Sequence, residues 1–102
     1  MEIQKLMDDA YELAIEKGFY NGDERPIELL AMIHTEVSEA INIYRKKGMK
    51  DYSSMESLPT ELADVILRTL TFCRHFNIDI ENSLIKKMEY NKKRVWQNVH
   101  KI

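Results

Sequence analysis

Breakers are scarce in this chain: three glycines and two prolines stand among 102 residues. A strand-and-turn fold needs turn signals at short, regular intervals, so their scarcity favours long helices. Cys73 is the single cysteine. It excludes an internal disulfide and, lying on an apolar helix face, reads as a small buried hydrophobe in a reducing compartment. No apolar run approaches the roughly 20 residues of a membrane span, and Met1-Glu2-Ile3-Gln4 does not open a signal peptide, so the expected setting is cytoplasmic, away from membranes. A net charge of -2 excludes a strongly basic chain, and no nucleic-acid polymer is expected as partner. There is no glycine-rich phosphate loop, no Ser-His-Asp order and no CxxC, which leaves P-loop, serine-hydrolase and thiol-redox chemistry without support.

What is present fits one domain, residues 1–102, with an all-α fold. Residues 2–17 set Ile3, Leu6, Met7, Ala10, Leu13 and Ala14 at helical spacing before Gly18. Phe19-Tyr20-Asn21-Gly22-Asp23 is a loop whose paired aromatics serve either as a lid over the core or as a stacking surface for a flat ligand. Pro26 opens a second helix that reaches Lys47 before Gly48. Leu29, Leu30, Ile33, Val37, Ala40, Ile41 and Tyr44 cover well over half its circumference, so it is expected to pack on more than one side. Residues 49–57 form a polar connection. A third helix starts at Ser57-Leu58-Pro59 and runs to about Phe76, with Leu62, Val65, Ile66, Thr69, Leu70, Cys73 and Phe76 as its core side. Asp79 caps a fourth, roughly 80–95, whose apolar stripe is Ile80, Leu84 and Met88. The tail after Arg94, with Trp96 and His100, has no assignable place.

The middle helices carry acids in pairs: Glu36-Val-Ser-Glu39 and Glu61-Leu-Ala-Asp64. Residues three apart are neighbours on a helix surface. Antiparallel packing of the two helices would bring four carboxylates to one point, where their repulsion calls for a cation. Glu36 projects inside the apolar arc, so it requires a cation, a proton or a strong donor. Asp64 and Arg68, four apart, read as a surface pair. An all-oxygen set without histidine or thiol selects Mg²⁺, or Mn²⁺, over zinc or copper. A di-iron site wants Glu-x-x-His, and His34 and His75 are not so spaced. His34 reads as a core histidine and His75 as a solvated one. On the fourth helix Lys87, Asn91 and Arg94 share the side of Ile80 and Leu84, within a basic end: six Lys or Arg against one Glu from Lys86 onward. Carboxylate-held Mg²⁺ beside such cations suits a polyphosphate substrate. Residue chemistry thus reaches metal-dependent hydrolysis of a phosphoanhydride or phosphoester.

The run Gly18-Phe19-Tyr20, His34-Thr-Glu36-Val-Ser-Glu39-Ala, Glu61-Leu-Ala-Asp64-Val, Ile78-Asp79-Ile80 and Lys87-Met-Glu-Tyr-Asn91-Lys-Lys-Arg94 resembles the MazG-like all-α nucleoside triphosphate pyrophosphatases over residues 18–94. E-x-x-E, then E-x-x-D after 21 intervening residues, then K-x-x-x-N-x-x-R carry the resemblance. It implies a four-to-five-helix bundle assembling as a homodimer or homotetramer, with two subunits completing one site. It implies cleavage of a nucleoside triphosphate between its α- and β-phosphates. Glu36, Glu39, Glu61 and Asp64 would hold Mg²⁺, and Glu36 and Glu39 are the catalytic candidates; one of the acids, or the metal, activates the water. Lys87, Asn91 and Arg94 would contact phosphate and sugar, and Phe19 and Tyr20 the nucleotide. A non-catalytic helical module binding nucleotide or protein, and a different Mg²⁺-dependent phosphohydrolase, are the competing readings.

Overall fold

The computed structural model describes residues 2–49 and 54–95. Among them are four helices and no strand: α1 (Ile3–Glu16), α2 (Pro26–Lys47), α3 (Leu58–His75) and α4 (Ile80–Lys93). The boundaries follow local chemistry. Pro26 and Pro59 occupy first-turn positions where a missing N–H costs nothing. Ser57 caps α3 by accepting from the Thr60 amide, and Asp79 caps α4 by accepting from that of Asn82. Gly18, at φ 83°, ends α1 in a paired arrangement: its N–H bonds the Ile15 carbonyl while that of Phe19 bonds Ala14. Asn77, at φ 56°, ends α3 likewise, with Ile78 bonded to Cys73. The first of these turns brings the aromatic loop back to α1, where Tyr20 meets Tyr11.

α3 is the central element, with α2 on one side and α1 on the other. The core is small: Met7 of α1 meets Leu70 and Cys73 of α3, with Ile3, Leu6 and Ile80 packed against them. Cys73 is a buried free thiol, as its helix face indicates, and burial pushes its pKa up. Other expectations fail. Leu62 and Ile66, assigned to the core side of α3, are half exposed, and so are Leu30, Val37, Ile41 and Tyr44 of α2. Among the described residues α2 packs substantially on α3, and much of its apolar arc stays half exposed. Ile80 of α4 packs against this core; from Glu81 to Val95 every side chain except Asn91 is exposed. Leu84 and Met88 are therefore half exposed, like the apolar residues of α2 and α3. The Cα radius of gyration, 15.8 Å, exceeds the about 13 Å of a compact chain of this length. The tail with Trp96 and His100 lies outside the described residues.

Candidate metal centre and the adjoining cavity

Capping by Ser57 places Glu61 in the first turn of α3 and Asp64 one turn later. The α2–α3 pair runs antiparallel, so Glu36 meets Arg68 while Glu39 comes up against Glu61 and Asp64. One oxygen each of Glu36, Glu39 and Glu61 lies within 4.8 Å of the others. That spacing fits opposite or adjacent corners around a hard cation with metal–oxygen distances of about 2.1–2.5 Å. Asp64 stands outside this group of three, yet near enough for its charge to act on Glu39 and Glu61. Of the four acids paired in the sequence, the fold brings three together and leaves Asp64 as their neighbour.

The acids carry the electrostatic signature of crowding. Glu39 is raised above its ordinary pKa first by the charge of Glu36, then by a hydrogen bond with it, by burial and by Asp64; Arg68 pulls the other way. Glu61 is raised first by burial, then by Asp64, Glu39, Glu36 and Glu56. Its Oε2 is shut off from water and accepts no hydrogen bond from any described residue. A buried acceptor without a donor is costly, and a cation is one partner that would satisfy it. Glu36 is 8% exposed, as its place in the apolar arc requires. Its donor is Arg68, whose Nε lies 3.0 Å from Glu36 Oε1. The expected Asp64–Arg68 surface pair is therefore replaced by a part-buried bridge between helices, because the long guanidinium side chain reaches across to α2.

Beside the acids opens a cavity of about 340 Å³, within the range of small-molecule sites. Asp64 and Arg68 line the cavity and border the acid group; Met32 and Leu67 are apolar walls, and Phe19 and Tyr20 close one side. Phe19 is 58% exposed and lies under the Arg68 guanidinium, 5.6 Å from its ring centre. The aromatic loop is thus not a lid over core but a wall of the cavity. Lys87 and Arg94 are elsewhere: both sit over the ring of Tyr90 on α4 itself, and neither they nor Asn91 line the cavity.

Behind the cavity is a cluster that residue spacing did not disclose. His75, expected in solvent, has a side chain 22% exposed, and its Nδ1 lies 2.7 Å from the Tyr11 hydroxyl. Its Nε2 faces Glu24 Oε2 at 3.7 Å, and its ring stacks on Tyr20 at 4.7 Å. Tyr20 donates to Thr71 Oγ1. His34, expected in the core, is exposed on α2 instead. A helical wheel gives direction from one axis, and α1 and the loop close on α3 from a side that the wheel of α3 alone marks as polar. Glu24 gave the only faint signal, an acceptor following the turn dipeptide Asn21-Gly22. No protein-family profile, no curated protein and no solved structure is found to match the chain.

Proposed function

We propose that the protein is a Mg²⁺-dependent nucleoside triphosphate pyrophosphohydrolase of the MazG-like kind, acting in the cytoplasm. It would convert a (d)NTP or a modified nucleotide to monophosphate and pyrophosphate. The observation that carries this is the juxtaposition of three converging glutamates, one with an orphaned buried oxygen, and an aromatic-walled cavity whose Asp64 and Arg68 border them. Glu36, Glu39, Glu61 and Asp64 are the residues that would hold Mg²⁺, or Mn²⁺ in its place. When bound, the ion supplies neutralisation of phosphate charge and a more acidic water. Phe19 and Tyr20 offer ring faces to the base. Arg68 offers a cation at the border between cavity and acids, and Glu39, exposed and with a raised proton affinity, suits acceptance of a proton from water.

Lys87, Asn91 and Arg94 complete the reading if the active form is a homodimer or homotetramer in which α4 serves a neighbouring copy. The chain exposes 8153 Å², against the about 6,000 Å² usual for a folded monomer of 12.1 kDa. The excess is of the order buried per partner in large obligate interfaces. One observation favours the competing module reading: Arg68 already gives Glu36 a counter-charge without any metal.

The deciding experiment is turnover of a panel of canonical and modified triphosphates with Mg²⁺ or Mn²⁺, with the phosphate product identified. Pyrophosphate release that falls about 100-fold or more in Glu39→Gln, with the helical fold retained, is the expected result. Unchanged turnover in that variant would falsify the acid-site assignment. Orthophosphate as product points to a different phosphohydrolase, and a wild type inert toward every triphosphate to the module.

A further inference from the structure

The loop that walls the cavity is short, polar and rich in conformational freedom, yet it is tied down at three places. At its start, Gly18 fixes the exit from α1 and aims Phe19 at Arg68. In its middle, the Tyr20 hydroxyl donates to Thr71 Oγ1, which itself donates to the Arg68 carbonyl. At its end, the Glu24 carboxylate folds back to accept from the amides of Asn21 and Gly22. This last closure is internal to the loop. What joins it to the helices is His75.

Glu24 has a side chain only 7% exposed, although it belongs to a surface loop. Burial alone would raise its pKa; the backbone bonds within the loop and the nearness of His75 outweigh it, and the net shift is downward. Glu24 is thus held as a carboxylate. The Tyr11 hydroxyl and Nδ1 are in hydrogen-bond contact, and in the tautomer that places its proton on Nε2, toward that carboxylate, Nδ1 accepts from Tyr11. If the ring is doubly protonated, Nε2 still carries a proton toward Glu24. One imidazole therefore spans α1 through Tyr11, α3 through its own backbone and the loop through Glu24, while its face supports Tyr20 and its edge meets Phe76. None of Tyr11, Glu24 and His75 lines the cavity.

We propose that His75 is a positioning residue: acting through Glu24 and Tyr20, it sets the aromatic wall of the cavity and so governs how tightly a flat ring is held there. The ring-binding part rests on the reading of the cavity as the base site of a nucleotide; the hold on the loop does not. The two parts fail separately. The variant is His75→Phe, which keeps the ring stack and loses both nitrogens. The first readout is amide hydrogen exchange over residues 19–24 in protein free of substrate and metal, where exchange at Asn21 and Gly22 is expected to accelerate about tenfold, on the scale of one lost hydrogen bond. The second is the steady-state split: KM for the preferred triphosphate rises about five- to tenfold while kcat stays within about twofold. His75→Gln, whose amide can accept from Tyr11 and donate to Glu24, is expected to recover most of both effects. Unaltered exchange in the phenylalanine variant overturns the proposal, as does a loss carried by kcat with KM unchanged. Should that variant not fold, Glu24→Gln at the other end of the contact carries the same expectations. If the wild type turns over no triphosphate, the base-site reading falls and the exchange measurement still decides the role of His75.

Discussion

Glu36 is held between two helices by one guanidinium, whereas Glu61 keeps an oxygen that neither water nor a described donor reaches. With Glu39 beside them, the folded chain confines more negative charge than its own cations relieve. The pH consequence has a definite sign. Glu39 and Glu61 have folded-state pKa values raised above the unfolded ones. The folded state therefore binds protons more tightly, and the associated stability is present below the ordinary carboxylate value of about 4.3 and lost as pH rises through the raised values. Glu24, lowered, behaves in the opposite sense, and its contribution disappears only below that ordinary value. The two windows do not overlap. In chelator, the melting temperature is expected to rise as pH falls from neutral toward the ordinary carboxylate value, and the Glu39→Gln, Glu61→Gln double variant is expected to flatten that rise. Saturating Mg²⁺ is expected to remove or reverse the slope, since protons would then compete with the ion for the same oxygens. A wild-type melting temperature that falls steadily over this interval in chelator would show the acids to be stabilised as anions and remove the need for a cation.

At the scale of the element, the site depends on how α3 begins. Ser57 is 1% exposed; its Oγ accepts from the Thr60 amide and donates to Thr60 Oγ1. The first turn it secures carries Glu61. Ser57→Ala is expected to cost about 1 kcal/mol, which lowers the melting temperature of a chain this size by about 4–8 °C. It should also weaken the Mg²⁺-dependent rise in melting temperature, because Glu61 then leaves its register. A stability loss with the Mg²⁺ response intact would place the cap outside the site. Caps of this kind are why the helices were legible beforehand. Pro26, Gly48, Ser57 with Pro59, and Asp79 are punctuation written in single residues, and the α2 boundaries coincide with what they dictate. The acid pairs were legible for a related reason: spacing of three fixes two side chains on one turn, and antiparallel packing does the rest. Arg68, His75 and His34 were misplaced because their surroundings come from other elements. Arg68 crosses to α2, α1 and the loop close over His75, and His34 is exposed, with no described element over it. Leu62, Ile66, Leu84 and Met88 show the same limit from the other direction, for apolar spacing identifies a face to be covered without naming what covers it.

For the molecule as a whole, that uncovered surface sets the strongest demand. A 14-residue helix is marginal by itself in water, and among the described residues Ile80 is the α4 side chain that packs against the buried core cluster. Its exposed Leu84, Ile85, Met88 and Tyr90 are matched by exposed Leu30, Val37, Ile41 and Tyr44 on α2 and by Leu62 and Ile66 on α3. The charges are matched too: α4 ends in Lys92, Lys93 and Arg94, while the α2–α3 face carries the acids. A second copy would satisfy both requirements with surfaces already present, and it would set the basic end of α4 beside the carboxylates of its neighbour. Light scattering at tens of micromolar is therefore expected to give twice or four times the 12.1 kDa chain mass. Met88→Glu, a change at a residue that is 57% exposed in the single chain, should cost an isolated monomer almost nothing. In an assembly it buries a charge in an apolar contact, and it is expected to weaken self-association by about tenfold or more. If the triad of one copy serves the acids of another, turnover falls with the loss of assembly and returns as protein concentration is raised. A wild type that is monomeric and fully active, or a Met88→Glu variant that loses stability without any change in mass, would show that α4 finds its cover within its own chain.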